Sequence, residues 1–264
     1  MSITKAPVTV CIIAKNEEKR LPDCLDSIRW ADEIVVVDDE SSDKTIELAK
    51  SYGAKVFQRK MDVEGRHRNY AYAQAKNQWV LSLDADERVT PALAEEIKNT
   101  VQNANGHSAF AIPIKTFIGK RWIQGAGYYP APKVRLFLKD KFKYEDASVH
   151  PKMILDGTCG RLKGDVLHYS CQNFGEFLGK MNRETMLEAQ KWVRDGRKVS
   201  LPNSLRKTVD RFLKNYFIKG GWNYGFQGFM MSYFHGLYQL LSYAKYWEMQ
   251  NDKNTSQPGQ SNIR

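Results

Sequence analysis

The chain has 264 residues, 42% hydrophobic and 27% charged, so it can bury one substantial core and is not a disordered protein. A net charge of +10 calls for an anionic partner, with nucleic acid, phosphorylated metabolites and anionic lipid as the classes to separate.

Over the first 90 residues short apolar runs alternate with helical patterns, the signature of βαβ units and a parallel sheet. Residues 8–14 read as a buried strand, and a helix follows over 17–28 with Leu21, Leu25 and Ile28 on one face. A second strand covers 33–38, after which Ser41, Ser42 and Asp43 offer caps for a helix reaching about 52. A short strand at 55–58, a helix over 66–75 and a strand over 78–83 complete this half, and Thr90-Pro91 starts another helix. From 109 onward the pattern changes to strands without long helices between them, at 109–117, 134–139, 153–155 and 166–169, which predicts a mixed sheet edge. Residues 174–192 are helical, with Phe174, Leu178, Met181, Thr185 and Trp192 near one stripe. A break at Asp195-Gly196 and Leu201-Pro202 precedes a last segment. The expected organisation is a catalytic α/β domain over 1–172, with a nucleotide-binding half to about 90 and an acceptor half over 91–172, then a helical region over 173–250 and a disordered tail over 251–264.

In open α/β sheets ligands bind beyond the carboxyl ends of the strands. Those ends carry Asn16-Glu17, Asp38-Asp39 and Asp84-Ala85-Asp86, each of which alone reads equally well as turn or capping chemistry. Their coincidence on one edge points to a site. Residues two apart on an extended chain point the same way, so Asp84 and Asp86 can offer oxygens to one hard cation, Mg²⁺ or Mn²⁺. No Gly-x-Gly-x-x-Gly or Walker loop follows the first strand, which removes support for a Rossmann dehydrogenase or a P-loop enzyme. Lys133 and Arg135, at the start of a strand, face either phosphate or solvent.

Cys11, Cys24, Cys159 and Cys171 form no Cys-x-x-Cys pair and read as reduced structural thiols. The N-terminal residues lack an apolar signal region, so the expected compartment is the cytoplasm. Near the other end, Arg206, Lys207, Arg211, Lys214 and Lys219 interleave with Phe212, Tyr216, Phe217 and Trp222, ahead of a long uncharged run rich in tyrosine and glycine. Basic and aromatic residues together suit a membrane interface, and the run is too weakly apolar to span a bilayer. A pair of helices packing on the domain is the competing reading.

Four segments, Val-Cys-Ile-Ile-Ala-Lys-Asn-Glu-Glu from Val10, Val-Val-Val-Asp-Asp-Glu-Ser-Ser-Asp-Lys-Thr from Val35, Arg-Asn-Tyr-Ala from Arg68 and Trp-Val-Leu-Ser-Leu-Asp-Ala-Asp-Glu from Trp79, stand in this order. Together they resemble inverting family-2 glycosyltransferases with the GT-A fold, in particular the bacterial lipopolysaccharide-core glucosyltransferases. The resemblance implies a Rossmann-like, mostly parallel mixed sheet flanked by helices, with a C-terminal helical extension. It implies that Asn16, Glu17, Asp38 and Asp39 surround the uridine of a UDP-sugar and that Arg68 with Asn69 lies near the diphosphate. Asp84 would meet ribose or metal, Asp86 would be the principal metal ligand, and His168 would complete the metal sphere or contact the diphosphate, though a core histidine satisfied by backbone is the competing reading. The acidic base belongs in Tyr144-Glu145-Asp146-Ala147-Ser148-Val149-His150, with Asp146 first, Glu145 next and His150 a secondary candidate. Many members of the family it resembles carry Glu after that histidine, where this chain has Pro151. The implied reaction moves a sugar, glucose, from UDP to a lipid-linked lipopolysaccharide inner core. The enzyme would then lie peripherally at the inner face of the cytoplasmic membrane, on an anionic surface, with no nucleic acid partner. The alternatives are a sugar-nucleotide nucleotidyltransferase, which would need a glycine-rich phosphate loop, and a non-catalytic module binding anionic membrane or nucleic acid.

Overall fold

In the computed structural model, which describes residues 6–146 and 152–255, the first strand is covered on both faces. On β1 (Ala6–Ala14), Val8, Val10, Ile12 and Ala14 enter one buried cluster, while Cys11, pointing the other way, enters a second. The chain continues through α1 (Leu21–Ser27), β2 (Ala31–Asp38), α2 (Thr45–Ser51), β3 (Lys55–Gln58), α3 (Glu64–Ala73) and β4 (Trp79–Asp84). All four strands run parallel, in the order β4-β1-β2-β3. The chain therefore builds outward through β2 and β3 and then returns to the far side of β1, which makes the β1–β4 junction the topological switch point.

Next come β5 (Glu87–Val89), α4 (Pro91–Gln102), β6 (Ala109–Ile112), β7 (Ile114–Ile118), β8 (Arg121–Trp122) and β9 (Lys133–Leu138). They are followed by β10 (Phe142–Tyr144), β11 (Met153–Leu155), β12 (Cys159–Arg161) and β13 (Val166–Cys171). β9 is antiparallel to both β4 and β6 and carries the main sheet on to β12, giving seven strands in the order β12-β6-β9-β4-β1-β2-β3. This is the mixed, mostly parallel sheet expected from the sequence. A four-stranded sheet, β5-β13-β7-β8, and the β10–β11 hairpin complete the strands.

Leu21, Cys24 and Leu25 of α1 and Leu93, Ala94 and Ile97 of α4 cover one face of the main sheet. Ala71 and Tyr72 of α3, with Phe137 and Phe142, cover the other, where the Tyr72 hydroxyl is 2.8 Å from Ser82 Oγ. Each fully buried Leu or Ile contributes about 1.5–3 kcal/mol of transfer free energy.

Several boundaries differ from the sequence reading. The first helix begins at Leu21 rather than 17, because Pro22 suits a first helical turn and residues 15–20 form turns. The strand expected over 109–117 is two strands belonging to different sheets, separated at Pro113, which has no N–H to donate. None of the four cysteines forms a disulfide, and Cys159 is exposed rather than part of a core.

The chain divides into two compact units, residues 1–122 with 128–170 and residues 123–127 with 171–264. The second holds α5 (Phe174–Arg194), α6 (Leu201–Leu213), which runs into a π-helical turn (Lys214–Ile218), and α7 (Gly225–Thr255). α7 thus runs five residues into the expected tail, and 256–264 lie outside the described residues. Asn173 caps α5 by accepting from Glu176 N at 2.9 Å, and Glu176 answers by accepting from Gln172 N at 2.6 Å. Gly236 lets α7 approach α6 closely, since a Cβ there would stand 2.6 Å from the Thr208 carbonyl.

Gly228 is tighter still: an added Cβ would fall 1.8 Å from the Gly221 carbonyl oxygen. Gly228→Ala is expected to destabilise by about 1–3 kcal/mol, as overpacking does, despite the better helix propensity of Ala. A raised thermal midpoint would contradict this packing. His235 supplies a pH-dependent counterpart: burial, then Lys219 and Arg211, push its pKa down to about 4. Below its ordinary value of about 6.5 the unfolded chain takes up a proton that the folded chain refuses. Stability from this group is therefore full above pH 6.5 and lost as pH falls toward 4. Urea titrations across that window should show a smaller loss for His235→Gln than for the parent.

Candidate active site

The parallel register fixes which residues share the carboxyl edge. Ala14 lies opposite Asp38 and Ile13 opposite Asp84, so the loops after β1, β2 and β4 leave the sheet side by side. The first two loops are laced together. Asn16, at φ 55, donates its N–H to Ser41 Oγ at 2.8 Å and accepts from Ser42 N at 2.8 Å through its side chain. Glu17 N donates to Thr45 Oγ1 and Glu18 N to Asp43 Oδ2. Asn16 therefore shapes the edge, with its side-chain oxygen already engaged. Glu17 sits near Arg20, and its pKa is raised by burial, with Asp86 among the groups that add to the rise.

Asp38 is fully buried. Its Oδ2 accepts from Ser41 N at 2.8 Å, whereas Oδ1 is a buried acceptor without a hydrogen-bond partner among the described residues. Such an oxygen is costly to leave unmatched. Asp39 is fully matched: Met61 N donates to Oδ1 at 2.7 Å and Lys15 Nζ to Oδ2 at 2.9 Å. Burial works to raise its pKa, but these two donors bring it below the ordinary carboxylate value.

Asp84 stands between two arginines. Arg68 Nη2 donates to Oδ1 at 2.9 Å and Arg135 Nη2 to Oδ2 at 3.0 Å. Burial opposes ionisation, yet the two guanidiniums hold this carboxyl well below its usual range. Arg68 is itself steadied by Glu64 at 3.0 Å. Arg135, 4% exposed, also donates to Glu87 Oε1 at 2.5 Å, and Glu87 accepts from Asp84 N at 3.0 Å. Burial raises the Glu87 pKa, against the pull of Arg135. The sequence reading left Arg135 facing phosphate or solvent; in the fold it is a buried cation joining two acids. Glu87 was missed as a member of this group, and its only signal was its place at the end of the Asp-Ala-Asp-Glu run.

Asp86 is not on an extended strand. Ala85 and Asp86 form the turn between β4 and β5, so the two-residue spacing does not aim Asp84 and Asp86 together as it would on a strand. Asp86 instead meets His168 of β13, with Oδ2 and Nε2 3.3 Å apart and side chains 15% and 19% exposed. The backbone fixes this approach, because Tyr169 N donates to the Asp86 carbonyl at 2.9 Å and β13 pairs with β5. Among the described residues no group of three or more His, Cys, Asp or Glu is placed to hold a metal ion.

Asn69 exchanges two hydrogen bonds with the backbone of Tyr144, at 2.8 and 2.9 Å, and so pins β10 just before Glu145 and Asp146. Glu145 Oε1 accepts from Lys152 N at 3.1 Å. The Asp146 side chain is 60% exposed and pairs with Arg66 at 3.2 Å, a partner not anticipated from the sequence. His150 lies outside the described residues. Beside this segment a cavity of about 510 Å³ is lined by Tyr144, Met153, Lys133, Cys159 and Arg161, among others.

Residues 9–157 match the model of the family described as Glycosyl transferase family 2. The chain is 30% identical over 254 residues to an uncharacterized glycosyltransferase of Rickettsia typhi, covering 92% of this chain and 87% of that one. It is 27% identical over 258 residues to the lipopolysaccharide core biosynthesis glycosyltransferase LpsC of Rhizobium meliloti, covering 93% and 94%. Among solved structures, S. aureus TarS 1–349 aligns over 97% of this chain and 94% of its own at 15% identity and a TM-score of 0.47. With residues 9–157 matched by the family model and the Rickettsia typhi relative 30% identical over 92% of this chain, the chain belongs to glycosyl transferase family 2.

Proposed function

We propose that the protein transfers a hexose, glucose, from a UDP-sugar to a saccharide of the lipopolysaccharide inner core, with inversion at the anomeric carbon. The observation that carries this reading is the carboxyl edge at the switch point, where an unmatched buried oxygen of Asp38 lies at the end of β2, across β1 from the strand that ends in the Asp84 and Asp86 turn. Asp38 Oδ1 suits a donor such as the uracil imide N–H or a ribose hydroxyl. Arg68 suits the diphosphate by virtue of its fixed, planar cation. The similarity to LpsC over nearly the whole of both chains supports a lipopolysaccharide-core acceptor, and the cavity beside Tyr144 gives a saccharide a place to lie. The enzyme would work peripherally at the inner face of the cytoplasmic membrane, where a lipid-linked acceptor is presented.

A divalent metal fits part of the donor set. The Asp86 carboxylate and the His168 imidazole are neighbouring oxygen and nitrogen donors with access to solvent, and they would hold Mn²⁺ or Mg²⁺. Asp84 has both oxygens committed to arginine, so in this arrangement it orients Arg68 and Arg135 rather than binding metal. When bound, the metal would neutralise charge on the diphosphate. In the transfer itself the acceptor oxygen forms a bond to the anomeric carbon as the bond from that carbon to the diphosphate breaks. The acceptor's proton passes to Asp146, the exposed carboxylate of the β10 segment, and UDP departs. Arg66 steers the Asp146 side chain.

Incubation with a panel of UDP-sugars and a lipopolysaccharide-core acceptor, read by UDP release and by the product's anomeric configuration, tests the reading. An inverted glucoside is expected, and a retained configuration would contradict it. Asp86→Asn should nearly abolish transfer while leaving the thermal midpoint within a few degrees of the parent; full metal-dependent turnover would remove Asp86 from the metal site. Asp146→Asn should keep UDP-sugar binding and lower turnover on the order of a hundredfold, as loss of a positioned base does. If Glu145→Gln behaves that way instead, the base is the preceding residue.

A further inference from the structure

The helical unit exposes side chains of the kind that the α/β unit buries. Where α6 gives way to α7, Phe217, Ile218, Trp222 and Phe226 are 58%, 79%, 57% and 73% exposed. The exposure extends back along α6 at four-residue spacing through Leu201, Leu205, Val209 and Leu213, which lie on one advancing ridge and are each 44–54% exposed. This ridge is separate from the face that α6 packs on α7, where Ser204 is buried and Thr208 meets Gly236. Contiguous exposed apolar residues rimmed by charge mark an interaction surface.

The charge around this surface selects its partner. Residues 197–219 hold seven Lys or Arg and a single acid, Asp210, which is itself paired with Arg206. No Asp or Glu occurs from Arg211 through Trp247. A two-fold contact with a second copy would set this cationic surface against itself. An anionic bilayer complements it on both counts, accepting apolar side chains at the acyl boundary and cations at the headgroups, with Trp at the level between. Among the described residues no helix is long and apolar enough to cross a membrane.

We infer that the α6–α7 joint is a membrane-inserting wedge. Phe217, Ile218, Trp222 and Phe226 enter the acyl boundary of an anionic leaflet, and α6 lies along the interface on its Leu and Val ridge. The inference deepens the reading of a lipid-linked acceptor and rests on it for purpose, but the binding itself does not require catalysis.

The test is co-sedimentation of the full chain with phosphatidylcholine vesicles with and without phosphatidylglycerol, at low and high salt. The parent should bind the anionic vesicles, with part of the binding surviving high salt. Trp222→Ser combined with Phe226→Ser should bind at least tenfold more weakly and lose the salt-resistant part, with unchanged transfer to a soluble core fragment. Arg211→Gln combined with Lys214→Gln should lose mainly the salt-sensitive part, and this second variant decides the matter if the first melts early. Equal binding by parent and both variants, equal binding to neutral vesicles, or a parent dimer that the first variant abolishes would each overturn the wedge. Vesicle binding as expected in a protein that transfers no sugar would leave the wedge standing and sink the glycosyltransferase reading instead.

Discussion

Arg135 is a guanidinium removed from water, and the site is organised around the cost of putting it there. Removing one partner from a buried ion pair typically costs about 3–5 kcal/mol, because the other charge is left uncompensated. Here the compensation comes from two acids on neighbouring elements, Glu87 on β5 and Asp84 at the end of β4. Arg68 adds a second cation to Asp84 from α3. The four side chains therefore tie the antiparallel strand β9, the last parallel strand, its turn and a helix into one rigid group. Asp86 projects from the turn that this group holds, which is how a residue in a two-residue turn keeps a defined position beside His168.

The sheet supplies the rest of the edge. Parallel pairing brings Asp38 and Asp84 opposite successive residues of β1, Ala14 and Ile13, on its two sides, and the reversal of strand order opens the crevice there. Hydrogen bonding decides which of these groups are free to act. Asp39 and Asn16 are consumed in holding the loops, and Asp84 in holding arginines, so Asp38 Oδ1 and the Asp86–His168 pair are left as the unmatched chemistry.

Much of this was legible in the sequence. The apolar runs ending in Asn16-Glu17, Asp38-Asp39 and Asp84 locate β1, β2 and β4 to within two residues, since a parallel strand buried on both faces leaves an unbroken apolar run. β5, β8, β10 and β12 are not legible because strands of two or three residues carry too little period, and β11, equally short, shows only through its unbroken Met-Ile-Leu run. The partners of Asp84 escaped for a different reason: Arg135 lies 51 positions away, and a strand residue that is buried and charged looks the same in sequence as one that is exposed. The turn at Ala85-Asp86 was misread as extended because it contains neither Gly, Pro nor Asn. On α6, composition disclosed the cations and aromatics, but only the fold separates the ridge that packs from the ridge that faces outward.

The central claim is that the Asp38 and Asp86 edge binds a nucleoside diphosphate together with a metal. Crystals grown with UDP and Mn²⁺, measured at the manganese absorption edge, address it directly. The account predicts an anomalous peak bonded to Asp86, with the uracil or ribose within hydrogen-bonding distance of Asp38 Oδ1. Manganese bound away from Asp86, or UDP seated elsewhere on the sheet with Asp38 still unmatched, would contradict it.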